Sequence, residues 1–186
     1  GDIITSDKPY VFCFNDRDTT GICYAWEGTI FGSRVDRYDI NFYITATKRD
    51  ATVTITRQTG GTVVANNVSV AKDTLYTYTA SDTNDQYIIT SDFPIACFRG
   101  RDISTSEEDS LPLHPASTDI FGTFSGGGHI IASQASTSYN GFASDGTTVN
   151  GTLSSIGSVV ENQLGAGGHF AGKSSRVIAD KPIFAE

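Results

Sequence analysis

Apolar and polar residues alternate along most of the first half of the chain. Over residues 35–47 the alternation places four large apolar side chains on one face of an extended strand: Tyr38, Ile40, Phe42 and Ile44. Residues 51–57 repeat the pattern, with Val53 and Ile55 facing inward. No stretch of the chain has a persuasive helical period. The pattern therefore predicts β-strands throughout.

Turn-forming residues separate the predicted strands. In the first half, Gly60-Gly61 and Asn66-Asn67 predict turns, and in the second half Asn140-Gly141 and Asp145-Gly146 predict hairpin turns. Short strands spaced by roughly 8–12 residues, with turn signals between them, indicate an all-β protein. The fold that we expect is an antiparallel β-sandwich, jelly-roll-like or Ig-like.

One segment type occurs three times, as an apolar run, a polar turn containing Asp-x-Pro and a second apolar run. Its copies are Ile3–Phe14, Ile88–Phe98 and Val177–Ala185. Because proline has no N–H and extends the residue before it, and because Asp and Ser favour turns, each copy predicts a strand, a tight bend and a new strand that begins at proline. The alternative interpretation makes the three aspartates ligands: Asp7, Asp92 and Asp180.

The spacing of the Asp-x-Pro segments predicts two tandem β units. The first would cover residues 1–102 and contain two of the segments, and the second would cover residues 103–186, be rich in Gly and Ser, and end with the third segment. One continuous domain is the alternative. The chain begins with Gly rather than Met and ends in the apolar run Ile183–Glu186, which predicts a processed product or a fragment of a longer polypeptide.

Charge and hydropathy narrow the classes of partner. The formal net charge is -8, and such a surface repels phosphate backbones, so we expect no nucleic-acid binding. No apolar run approaches the roughly 20 residues of a membrane-spanning helix, so we expect no membrane insertion.

The three cysteines do not have the spacing of a zinc site. Cys13 and Cys97 occupy nearly equivalent places in two Asp-x-Pro segments, so we expect both to be buried free thiols. A disulfide between Cys13 and Cys23 across a hairpin is the alternative.

Two groups of residues are candidate metal ligands. Asn15, Asp16 and Asp18 form an oxygen-rich loop that could hold calcium, although the loop lacks the spacing and terminal Glu of the helix–loop–helix calcium motif. His129 and His169 each follow a run of glycines and could meet at a metal or in a trimer. The alternative for the loop is a solvated hairpin connection, and otherwise we expect no cofactor.

Aromatic and amide side chains near turns are candidates for sugar recognition. Sugars are bound by aromatic faces beside planar polar groups, and exposed aromatic residues are rare unless they have a function. The candidate binding residues are Tyr24, Trp26, Tyr139, Asn140 and Phe142. Packing in the core is the alternative for each aromatic ring.

Several segments together resemble a repeated β-domain of large surface and virion proteins. They are Ala51–Thr56, Val68–Val70 and Tyr87–Ile95. Their succession resembles the repeated domains of phage tail fibres and also the N-terminal domain of IgGFc-binding proteins. Leu111–Pro115, followed by Phe121-Gly122, is similar to a Leu-Pro segment of the second family. The resemblance implies a surface-exposed, β-rich module and brings no site residues, and the Gly/Ser-rich second half departs from it.

The sequence has no Gly-x-Ser-x-Gly elbow and no clean solenoid period, so we expect the protein not to be an enzyme. The expected function is a structural or assembly module of a virion, such as a tail fibre, tail or capsid-decoration protein, that assembles as a homotrimer with other virion proteins. The alternative is an adhesion module that binds a host glycan or receptor on a virion or cell surface.

Overall fold

The fold is all-β and antiparallel, which confirms the predicted fold class, and two larger sheets follow each other along the chain, each described below as one unit. The computed structural model describes residues 12–15, 20–23, 26–35, 40–58, 61–81, 85–100, 111–123, 129–160 and 173–185. Among the predicted site residues, five lie outside these ranges: Asp7, Asp16, Asp18, Tyr24 and His169. The first Asp-x-Pro segment enters the described residues only at Phe12.

A two-stranded ribbon precedes the two larger sheets. It consists of β1 (Phe12–Asn15) and β2 (Thr20–Cys23). Its register places Cys13 opposite Ile22, and Cys23 opposite Phe12, so the two cysteines of the alternative disulfide are not at directly opposite positions.

The first unit contains a sheet with β8 at its centre. Its strands are β3 (Glu27–Val35), β4 (Ile40–Ala46), β5 (Ala51–Arg57), β6 (Thr62–Val70), β7 (Leu75–Ala80), β8 (Asp85–Gly100) and the short β9 (Leu111–Pro112). The order along the sheet is β6-β5-β8-β4-β7, and both β3 and β9 pair with β8. Strand β9 lies beyond residue 102 but still belongs to this sheet.

The second unit repeats this arrangement around β15. Its strands are β10 (Ser117–Thr123), β11 (Ile130–Ala132), β12 (Thr137–Ala143), β13 (Thr148–Leu153), β14 (Val159–Val160) and β15 (Ser174–Ala185). The order is β13-β12-β15-β11-β14, and β10 pairs with β15. Each strand from β3 to β8 therefore has a counterpart at the same place in the second unit, from β10 to β15, and the central strand comes last among these six strands of each unit.

The Asp-x-Pro segment is where each central strand changes its partner. Strand β8 pairs with β5 up to Ser91 and with β4 from Ile95 onward. Strand β15 pairs with β12 up to Ala179 and with β11 from Ile183 onward. The predicted interruption by a tight bend is wrong, because both strands continue through the proline and absorb the change as an irregularity in register against β3 and β10.

Two of the predicted turns are instead internal to strands. Asn66-Asn67 lies within β6, where Asn67 has a φ of 51° and the register against β5 shifts. Asn140-Gly141 lies within β12 and pairs with both neighbouring strands. The predicted turns at Gly61 and Asp145-Gly146 are confirmed, with φ of 61° at Gly61 and 88° at Gly146.

Each unit has its own core of inward-facing side chains. The first is the larger, and its fully buried members include Phe42, Ile44, Val53, Ile55 and Ile89. The second is formed mainly by Ile130, Tyr139, Leu153, Val177 and Ile183. The inward alternation predicted for Phe42, Ile44, Val53 and Ile55 is confirmed.

A third cluster joins the two units through the outer faces of both sheets. Ile88 of the first unit packs with Ile131 and Phe184 of the second, and all three are less than 9% exposed. The Phe184 ring lies directly over Gly32, where an added Cβ would come within 2.6 Å of Cε2. Glycine at this position therefore lets the second unit approach the backbone of β3.

We expect Gly32→Ala to destabilise the contact between the units. The added methyl has no space against a ring fixed by packing, and overpacking of this kind costs about 1–3 kcal/mol. Thermal and denaturant unfolding would measure the loss. Shortening the opposing ring with Phe184→Leu in the Gly32→Ala background should recover part of it, beyond the effect of Phe184→Leu alone. Strict additivity of the two substitutions would contradict the contact.

Candidate functional site on the outer face of the second sheet

The aspartates of the second and third Asp-x-Pro segments make the same hydrogen bond in the two units. The backbone N–H of Thr52 donates to Asp92 Oδ1 at 2.6 Å, and that of Ser138 donates to Asp180 Oδ1 at 2.8 Å. Both donors are the second residue of the strand that pairs with the first part of the central strand, β5 or β12. The hydrogen bond from Thr52 is the main cause that lowers the pKa of Asp92. These carboxylates therefore fix the residue at which each central strand changes its partner.

The outer face of the second sheet carries two cross-strand rows of exposed side chains. One row runs across β10, β15, β12 and β13 through Phe121, Arg176, Phe142 and Thr148. The next row runs through Asp119, Ile178, Asn140 and Asn150. Directly opposite residues on one face are neighbours, so the rows form one continuous surface.

Three of the eight side chains in these rows are large, apolar and exposed. Phe121 is 76% exposed, Phe142 is 45% exposed and Ile178 is 36% exposed. Arg176 lies between the two phenylalanines in the register. Exposed aromatic side chains beside an arginine are typical of a binding site.

Asp119 holds the arginine in place. Arg176 Nε donates to Asp119 Oδ1 at 2.8 Å, and Nη2 donates to Oδ2 at 2.6 Å. This paired hydrogen bonding lowers the pKa of Asp119 and raises that of Arg176. The guanidinium group is therefore oriented and its charge is compensated within the face.

Two of the predicted binding residues lie on this face and one lies beneath it. Asn140 and Phe142 are exposed on β12. Tyr139 is only 4% exposed and faces the core of the second unit, where its ring packs against Gly151. Tyr139 therefore packs in the core, which was the alternative to a binding role for its ring. Asn140 and Phe142 are available to a partner.

Trp26 lies away from this face, beside the first unit. It is 38% exposed, and its ring centroid is 3.7 Å from that of His114, with the two planes tilted by 35°. Partial burial lowers the pKa of His114, since it disfavours the charged imidazolium. Trp26 and Phe142 thus belong to different surfaces of the chain.

Of the two candidate metal-ligand groups, only Asn15 and His129 lie among the residues that the structure describes, so both metal hypotheses stay predictions. Asn15 ends β1, and within the described ranges no group of three or more His, Cys, Asp and Glu is close enough to hold a metal. Cys97 is a free thiol, as predicted, and is 2% exposed. Burial raises its pKa well above the usual range, so the thiol stays protonated.

The sequence pattern did not identify Asp119, Phe121, Arg176 or Ile178 as site residues. Asp119 and Phe121 lie on β10, which begins at Ser117 and pairs with β15. The alternation of Arg176 and Ile178 with buried Val177 was available as a signal. This alternation shows that the strand has an exposed side and a buried side. Which residues of other strands lie beside the exposed side depends on the register.

Neither a protein-family model, nor a curated protein, nor a solved structure matches the chain. The described residues include no helix with the length and apolarity that spanning a bilayer requires.

We expect Asp92→Ala to lower stability at neutral pH, because the N–H of Thr52 loses its acceptor. Asp92→Asn should lose less, since its amide oxygen can still accept. The folded pKa of Asp92 lies below its ordinary 3.8, so its contribution is present above that value and lost as the pH falls through the folded pKa. Denaturant unfolding against pH should therefore show the wild type and Asp92→Asn converging in acid.

Asp180→Ala provides the matched change in the second unit, and it should also destabilise the protein at neutral pH. A stability difference between wild type and Asp92→Asn that is independent of pH would contradict the role of the carboxylate charge.

Proposed function

We propose that the protein is a non-enzymatic structural module that assembles on a virion or extracellular surface, as part of a tail fibre, tail or capsid decoration. The observation that supports this proposal most is the stacking of two β units of the same topology through their outer faces. Repeated units that bury their faces against each other are the usual basis of extended scaffolds.

The use of the reactive side chains also supports a structural role. Two aspartates accept backbone hydrogen bonds where the central strands change their partners. Asp119 binds Arg176, and the thiol of Cys97 is buried and protonated. Lys173 pairs with Asp145 at 2.6 Å. These groups stabilise the sheets instead of converging on one point.

The partners that we propose are further copies of this chain, as a homotrimer, together with other virion proteins. We expect light scattering to give a particle of three times the 19.8 kDa chain mass. The mass should not change with a chelator, because the assembly that we propose depends on sheet faces. A trimer lost in chelator would assign calcium to the loop at Asn15, and a monomer at every concentration would contradict the assembly role.

A second candidate function is binding of a host glycan or receptor. The observation that favours it is the exposure of Phe142 and Asn140 on the same face of β12, next to Arg176. An aromatic ring beside planar polar groups is a surface suited to sugar rings.

Glycan-array binding would test this candidate. We expect binding through the β12 face to be lost with Phe142→Ala and kept with Trp26→Ala, because the two rings lie on different surfaces. The reverse result would move the glycan site to the surface of Trp26 and His114. No binding by the wild type would leave the assembly function as the better account.

A further inference from the structure

The contact between the two units joins different parts of their outer surfaces. The first unit contributes the part of its sheet before the Asp-x-Pro segment, here termed the Ile88 face: Ile30, Gly32 and Ile88. The second unit contributes the part after that segment, here termed the Phe184 face: Ile131, Val159 and Phe184.

The duplication gives the Ile88 face a counterpart in the second unit. Gly32 lies opposite Ile88 on the central strand, and Phe121 lies opposite Arg176 at the same place. Ile88 and Arg176 also pair with the first partner of their central strand, which is β5 for Ile88 and β12 for Arg176. The counterpart, here termed the Phe121 face, consists of Asp119, Phe121 and Arg176.

The Phe184 face likewise has a counterpart in the first unit. On the Phe184 face, three residues lie opposite one another in succession: Phe184, Ile131 and Val159. The same succession in the first unit is Ala96, Thr45 and Leu75. These three residues are here termed the Leu75 face.

Within one chain the Ile88 face and the Phe184 face are buried against each other. The Phe121 face and the Leu75 face, in contrast, each have one large exposed residue. Ile88 is 7% exposed, whereas Phe121 is 76% exposed. Val159 packs in the cluster between the units, whereas Leu75 is 64% exposed. Ala96 is already covered at 3% exposed, so Leu75 is the apolar residue through which a partner reaches its face.

We propose that the Phe121 face of one molecule binds the Leu75 face of a second copy of this chain, head to tail. The contact would extend across molecules the arrangement that already joins the two units within one chain. This inference deepens the proposed assembly function and rests on it.

The side chains of the two open faces are the reverse of those at the buried contact. Within the chain, the small Gly32 receives the large Phe184. On the open faces, the large Phe121 occupies the place of Gly32, and the small Ala96 occupies the place of Phe184. The counterpart faces therefore differ from the buried pair in which of the two faces has the aromatic ring.

The Phe121 face can be buried at little electrostatic cost. Its only charged groups, Arg176 and Asp119, are paired with each other by two hydrogen bonds. Aromatic residues and arginine are enriched at protein interfaces, and paired charges avoid the penalty of an isolated buried ion.

Two different faces make this interface heterologous. Such an interface closes into a ring when the rotation between copies allows it, and otherwise continues as a filament. The proposed homotrimer would be the closed form of the same contact.

Complementary single variants test the inference by sedimentation velocity over a series of concentrations. Phe121→Asp disables one face and Leu75→Asp disables the other, and each alone should raise the dissociation constant by about 30-fold or more, as expected for an interface hot spot. An equal mixture should form a dimer and nothing larger, because one functional face of each kind remains. Val63→Asp is the matched control, since Val63 is 50% exposed and packs in none of the three clusters.

Circular dichroism and thermal unfolding would verify that each variant is folded before its mass is compared. Association that persists in both single variants overturns the inference and leaves the proposed assembly function standing. Loss of association in Phe121→Asp alone overturns the head-to-tail pairing, because it indicates that two Phe121 faces meet. A wild type that is monomeric at every concentration overturns both the inference and the proposed function.

Discussion

The hydrogen bond from a backbone amide to the Asp-x-Pro carboxylate is the constraint on which the architecture depends. A central strand that serves two successive partners on one side must release the first at a defined residue. Asp92 and Asp180 hold the first partner at that residue, by its N–H group. The proline that follows has no N–H group to donate to a neighbouring strand. The change of partner therefore occurs at a position where no backbone hydrogen bond is lost.

The change of partner also determines how the units meet. Because the central strand changes its partner after the aspartate, each unit has one outer face before that point and another after it. The units join by placing the later face of the second on the earlier face of the first. Gly32 and Phe184 make that contact specific, since a side chain at position 32 would occupy the space of the ring. The two units share a topology but differ in the residues that cover their outer faces.

Much of the fold follows from the sequence alone. The period of two around Phe42 and Val53 predicts strands and their buried faces, because side chains on a strand alternate between two environments. The recurring Asp-x-Pro segment predicts the duplication. The effect of the proline was misjudged, since a residue that cannot donate to a ladder also fits a strand at the point where it changes partner. Asn140-Gly141 failed as a turn signal because its glycine is buried inside a sheet.

The candidate site was less predictable, for a physical reason. Phe142 and Asn140 stand out by residue type, but the face that they share with Phe121 and Arg176 is made from strands that are distant in sequence. Only the register of β15 brings these residues into one row. Alternation along a strand defines its two sides and carries no information about which strand lies next to it.

The position of the central strand also has a consequence for how the protein folds. Among the six strands that the two units have in common, the central strand is the last to leave the ribosome, so the earlier strands keep one edge unpaired until then. These strands of the first unit can pair fully once β8 is available, whereas those of the second remain open until β15 is made. Synthesis of the chain therefore favours a stepwise order in which a finished first unit provides the surface on which the second unit closes.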